Sequence, residues 1–234
     1  DDVDKIYNLD GAEGNESNLI PIGGYSDANT LSSSRIFQGY FDGGNHTITN
    51  LTIKRSTTTA TNNDYVGLFG KAGGYNVKIS NLNISNATIE GYQNVGAIAG
   101  YDDGNSLENC VVSGSTIRAN QYAGGMVGYV TALNTTSCHT TSCFVVANTY
   151  AGGLYGYGSS IYNNIFEKSY VENPTIAVTN SCAGGLVGYA LAQPQGCYVT
   201  GGTITGGNSV GGLFGELSSA GSAIYIYHCY ASTT

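Results

Sequence analysis

Charge is what this sequence has least of. Charged residues make up 10% of its 234 positions, against roughly 25% in ordinary soluble domains. The only arginines are Arg35, Arg55 and Arg118, and the net charge is −8. Nucleic-acid binding through a basic face is therefore excluded as a class. No apolar run approaches the ~18 residues that a membrane-spanning helix requires, so no membrane insertion is expected of this segment. Tryptophan is absent, methionine occurs once and proline three times, and strong helix formers are scarce. What is abundant is glycine, with 35 residues, and tyrosine, with 19, set among many Asn, Ser and Thr. Such a chain favours short strands joined by tight turns.

The glycines are ordered. Val66-Gly67-Leu68-Phe69-Gly70, Val95-Gly96-Ala97-Ile98-Ala99-Gly100, Ala123-Gly124-Gly125-Met126-Val127-Gly128, Ala151-Gly152-Gly153-Leu154-Tyr155-Gly156, Ala183-Gly184-Gly185-Leu186-Val187-Gly188 and Val210-Gly211-Gly212-Leu213-Phe214-Gly215 are six versions of one motif. Their closing glycines step by 30, 28, 28, 32 and 27 residues. A period of this size marks a solenoid, in which each unit buries its apolar face by stacking on the next. Close backbone approach would explain the glycines, so larger residues at Gly125 or Gly153 are expected to destabilise the stack.

A second pattern lies between the motifs. Asn81-Leu82-Asn83-Ile84, Asn109-Cys110-Val111-Val112, Gly196-Cys197-Tyr198-Val199 and His228-Cys229-Tyr230-Ala231 alternate, which puts Leu82/Ile84, Cys110/Val112 and Cys197/Val199 on an inward face. Ile89, Ile117 and Ile204 follow seven residues after the first inward position, with Asn86, Gly114 and Gly201-Gly202 supplying the intervening turn. The same frame gives Ser169, Val171 and Ile176 in the next unit. Two or three short strands per repeat, at about 28 residues, predict an all-β right-handed parallel β-helix of about six rungs, with strands stacked about 4.8 Å apart. A propeller blade needs ~40 residues or more. Residues 1–45, which lack the repeat, read as an N-terminal cap or lead-in; residues 46–234 form the repeat array of the same single domain. The opening Asp1-Asp2-Val3-Asp4 and the final Cys229–Thr234 segment, which stops inside a repeat, give the expectation of a piece cut from a longer solenoid.

Six cysteines in an extracellular chain would normally predict a disulfide framework. Here Cys110, Cys138, Cys197 and Cys229 stand where Leu82 does, so stacked, buried, free thiols are expected; Cys143 is a second candidate for the third rung, and Cys182 begins a glycine motif.

Candidates for chemistry are few. His46, His139 and His228 lie in separate repeats without metal-ligand spacing, so no metal or other cofactor is expected. Acid/base chemistry on polysaccharides would need converging carboxylates. Asp102-Asp103 is the only vicinal pair within the repeats, with Arg118 one strand further on and Glu90 and Glu108 in other turns; a solvated Asp-Asp-Gly turn accounts for the pair. The aromatic positions say more. Tyr101, Tyr129, Tyr157 and Tyr189 each follow the closing glycine, which predicts a tyrosine ladder along four successive rungs, either a structural stack or a ligand-binding stripe.

Phe41-Asp42-Gly43-Gly44-Asn45-His46-Thr47-Ile48-Thr49-Asn50-Leu51-Thr52-Ile53, then Tyr65 to Gly70, Asn81-Leu82 and the Gly-Gly-x-x-Gly series, resemble the GLUG-repeat family over roughly residues 20 to 232. That family occurs in bacterial surface and secreted proteins, including noncatalytic portions of immunoglobulin A peptidases. The resemblance implies a secreted or cell-surface, adhesin-like or stalk-like β-solenoid, not an enzyme, with glycans, matrix or host or bacterial surface proteins as partners. It carries over no catalytic residue. The alternative is a polysaccharide lyase or glycoside hydrolase on the same fold, and a third reading is a purely mechanical spacer.

Overall fold

The computed structural model describes residues 6–8, 21–27, 30–31, 35–58, 65–159, 165–218 and 223–233. These form a parallel β-solenoid of about six turns, without a helix. One coil shows the plan. Val111–Ser113 lies in sheet I, Thr116–Ala119 in sheet II, Tyr122–Gly124 in sheet III, and Val127–Val130 with Leu133–Thr136 in sheet IV. Sheets I to IV hold 8, 6, 6 and 10 strands, each strand pairing in parallel with its equivalent in the next coil. A coil thus carries four or five strands, where the sequence led us to expect two or three. The reason is that the turns on either side of sheet I are single residues, so strand, turn and strand run together as one alternating pattern.

Those single-residue corners are left-handed. Asn81, Asn109, Ser137, Lys168, Gly196 and His228 form the column before sheet I, with φ between 51° and 64°, and Asn50, Asn86, Gly114, Ser142, Asn173 and Gly201 form the column after it, with φ between 48° and 63°. Asn tolerates this conformation better than most residues and Gly adopts it freely. The residue after each corner points inward. There the cysteines find their role: the backbone N–H of Cys110 donates to Cys138 Sγ (3.4 Å), that of Cys138 to Ser169 Oγ (3.1 Å), and that of Cys197 to Cys229 Sγ (3.4 Å). Each thiol or hydroxyl in turn donates to the carbonyl two residues earlier, as Cys138 does to Thr136 and Ser169 to Glu167. Leu82 needs no such group, because the N–H of His46 beneath it already bonds to Gly43. All six cysteines are free thiols. Cys143 does not belong to this column; it follows the second corner, stacked after Ala87 and Ser115, since Thr116 pairs with Phe144.

The interior is filled by aligned aliphatics. Ile53, Ile89, Ile117, Val145, Ile176 and Ile204 stack behind sheet II, and Ile84, Val112, Val171 and Val199 behind sheet I, all buried, with the polar Thr140 between Val112 and Val171 donating its hydroxyl to the Gly153 carbonyl. Burying one such aliphatic side chain contributes about 1.5–3 kcal/mol. The lead-in joins the stack: Ile6–Asn8 pairs with Thr47–Thr49, and Phe37 and Phe41 pack on Phe69 at ring-centroid distances of 4.7 and 5.2 Å.

The glycine motif forms the bend between sheets III and IV. A Cβ on Gly100 would fall 2.3 Å from the Val66 backbone nitrogen, and one on Gly128 2.3 Å from that of Val95. Sheet IV therefore crosses sheet III of the preceding coil backbone against backbone, which only glycine permits. The first motif turns with one residue fewer, so that Phe69 aligns with Ala99 and Lys71 with Tyr101.

One expectation is corrected here. Asp102-Asp103 is not a solvated turn but part of the strand Ala99–Glu108, and Asp102, aligned with Ala72 and Val130, is buried. Alternation along a strand longer than the local glycine signal allowed turns it inward.

Candidate functional site: a tyrosine seam

Tyr101, Tyr129, Tyr157 and Tyr189 stand in register on sheet IV. Their rings stack at centroid distances of 5.4, 5.1 and 4.7 Å with interplanar angles of 9°, 16° and 9°. Across the glycine bend, sheet III adds Tyr65, Tyr122 and Tyr150, which the sequence reading passed over. Tyr122 meets Tyr129 edge-on at 5.4 Å, Tyr150 meets Tyr157 at 5.2 Å, and Tyr65 meets Tyr101 at 5.6 Å. The signal was available, since a tyrosine immediately precedes the Val or Ala of three of the six motifs. The seven rings form a herringbone that joins sheet III to sheet IV beside the glycine bend.

All seven tyrosines are half-buried. Burial, with the Asp103 carboxylate as the next cause, pushes the Tyr101 phenol up to about 12, and burial with neighbouring phenols does the same for Tyr157. Tyr101 and Tyr157 thus keep their protons well beyond neutral pH. Because the rings of sheet IV face one another, the row offers solvent ring edges and hydroxyls more than open ring faces. Its two ends differ: the Lys71 ammonium lies 5.0 Å from the Tyr101 ring centroid, and Glu216 aligns with Tyr189.

A second aromatic row runs along sheet I. His139, Tyr170, Tyr198 and Tyr230 stack at 4.4, 4.7 and 5.2 Å with interplanar angles of 6°, 3° and 5°. Each directly follows the inward Cys or Ser of the second pattern, a regularity that sequence inspection could have found. Glu172 lies beside this row and raises the Tyr198 phenol, burial being the larger cause.

The carboxylates considered for acid/base chemistry do not converge. Asp102 is interior, and Asp103 accepts a hydrogen bond from the Thr131 hydroxyl. Glu90 sits on sheet II, 3.9 Å from the Lys54 ammonium and in register with Arg118, whose guanidinium lies over the Phe144 ring. Glu108 pairs with Lys78 on sheet IV. His46, His139 and His228 occupy separate places, and among the described residues no group of three or more His, Cys, Asp or Glu could hold a metal ion. No helix among them is long and apolar enough to cross a membrane.

These features define a parallel β-solenoid repeat protein with aromatic rows along its outside. No family model matches the chain. Over 103 residues, 44% of its length, it is 34% identical to halomucin from Haloquadratum walsbyi (strain DSM 16790 / HBSQ001), and it covers 1% of that protein. Its fold matches the crystal structure of a protein proposed to be an immunoglobulin A1 protease from Bacteroides ovatus, with a TM-score of 0.50 and 16% identity, over 98% of this chain and 78% of the other.

Proposed function

We propose that this chain is a noncatalytic recognition module of a secreted or cell-surface bacterial protein, adhesin-like, that contacts glycans, matrix or surface proteins through Tyr101, Tyr129, Tyr157 and Tyr189. The observation that carries this reading is the continuous herringbone of half-buried tyrosines on the outside of a solenoid poor in charged residues. Tyrosine supplies large rigid contact area and a hydroxyl at little conformational cost, which suits recognition. The GLUG-like motif set favours the same setting. So do partial identity to a protein named halomucin and a fold shared with a protein proposed to act on immunoglobulin A1, because mucins and immunoglobulins are extracellular. Against a polysaccharide lyase or hydrolase stands the dispersal of the carboxylates over the interior and two different sheets.

Binding of the chain to an array of glycans and matrix proteins tests this, run beside a variant with all four tyrosines changed to Ala. The expected result is binding that disappears in a variant whose far-UV circular dichroism is unchanged. Binding that survives the four substitutions refutes the role given to the row, and silence across the array favours a mechanical spacer.

A further inference from the structure

We propose a second ligand site, a notch at the corner between sheets IV and I that takes the edge of a neutral saccharide ring. It deepens the recognition reading above but rests on different residues. Glu167, Lys168, Gln195, Gly196 and His228 line a space of about 130 Å³. The notch exists because of one residue. Lys168, Gly196 and His228 are successive members of the left-handed corner column, and a Cβ built on Gly196 would meet nothing closer than 3.9 Å. The lysine and histidine side chains flank the gap where the middle coil has none. The walls are held by backbone hydrogen bonds from coil to coil, Lys168 to Gln195 at 3.0 Å and Gly196 to Tyr227 at 2.8 Å. Two residues beyond, past the inward Ser169, Cys197 and Cys229, lies the stacked row Tyr170, Tyr198 and Tyr230, with Tyr230 55% exposed.

The chemistry of the lining selects the ligand. Glu167, Lys168, Gln195 and His228 border one small space whose surface is mostly the apolar parts of these residues, their polar groups forming the minor share. An anion would meet Glu167 and a cation would meet Lys168. A neutral sugar ring offers C–H groups to the apolar stems and hydroxyls that both donate and accept, so it suits a space bordered by residues of both charge signs. The volume is well below the ~300–1,000 Å³ of pockets that enclose drug-sized ligands, which limits the occupant to one ring edge and the affinity to the millimolar range.

The column itself supplies the test. Asn occupies this corner in two other coils, Asn81 and Asn109, with φ of 53° and 51°. Gly196→Asn therefore keeps the fold and fills the notch. The full chain is titrated with glucose, galactose and N-acetylglucosamine, and with N-acetylneuraminic acid as the anionic comparison, while backbone amide shifts are followed by NMR. The expected result is saturable shifts at Lys168, Gln195, Gly196 and His228 with at least one neutral sugar, at least tenfold weaker in Gly196→Asn and retained when the four seam tyrosines are Ala. No shift at these amides with any neutral sugar up to about 50 mM, a range that covers millimolar binding, overturns the proposal, as does undiminished binding by Gly196→Asn or preference for the anionic sugar. Shifts at the notch together with an array silent toward the seam would uphold the notch while removing the seam reading; lost array binding with a silent notch would do the reverse.

Discussion

Gly128→Ala is the sharpest perturbation of this architecture. The added methyl would lie 2.3 Å from the Val95 nitrogen, 2.7 Å from the Asn94 carbonyl carbon and 2.8 Å from the Gly100 oxygen. The shortest of these is more than an ångström inside ordinary contact, and all three atoms are backbone, so no side chain can rotate away. Sheets III and IV must part at that coil, which strains the hydrogen bonds on both sides. Overpacking of this kind costs about 1–3 kcal/mol or more. At ~2–4 °C per kcal/mol for a chain of 150–250 residues, the melting temperature should fall by roughly 2–12 °C. Thermal melts by far-UV circular dichroism measure it, with Gly156→Ala, whose methyl would lie 2.7 Å from the Gly128 oxygen, as a second case. Exposed Thr203→Ala is the control, expected within about 0.5 kcal/mol of the parent. If both glycine variants melt within about a degree of the parent, the backbone-on-backbone crossing is wrong. Gly125 is a less decisive target, although its Cβ would lie 2.0 Å from the Gly153 oxygen. Ala97 occupies the equivalent place one coil earlier and is fully buried, so that column can adjust.

Three further outcomes follow from the same geometry. Cys138→Ser should leave stability within about 1 kcal/mol of the parent, because Ser169 makes the same pair of bonds in the next coil, whereas Cys138→Ala leaves the Cys110 N–H without its acceptor and should cost about 1–3 kcal/mol in denaturant melts. A thiol reagent should label Cys229 rapidly, since it alone is not buried, and reach the other five only after unfolding; two fast thiols would contradict the buried stack. Folded Tyr101 and Tyr157 hold their protons up to about 12, above the ordinary phenol value near 10. Their contribution to stability is therefore complete below pH ~10 and is lost as the pH climbs from about 10 to about 12. A melting temperature that stays flat across that interval would show that the seam tyrosines are not protected.

The solenoid and its inward positions were legible because stacking repeats the same demand in every coil, and period survives substitution. The tyrosine row was legible for the same reason. The strand count was not, because a corner made of one left-handed residue leaves no run of turn formers to read. Asp102 was misread because Asp-Asp-Gly is a strong local turn signal, and pairing with Ala72 and Val130 overrode it. The notch at Gly196 could not be foreseen either. A glycine at a left-handed corner reads as conformational need, and only the stacking of Lys168 and His228 on either side turns its missing side chain into a space.

The two left-handed columns also govern where the chain can change length. Three residue steps separate sheet I from sheet II in every coil, from Thr49 to Thr52 through Thr200 to Thr203. Elsewhere the spacing drifts. The chain spends seven more residues between Lys54 and Val66 than between Glu90 and Val95, and three more between Tyr157 and Ile165 than between Tyr129 and Asn134. Foreign peptide grafted between sheets II and III or midway along sheet IV should thus be carried as a side branch without disturbing register, while one residue added beside sheet I would rotate every later side chain of that coil from core to solvent. The molecule is a ruler with two rigid edges and two places to hang new sequence.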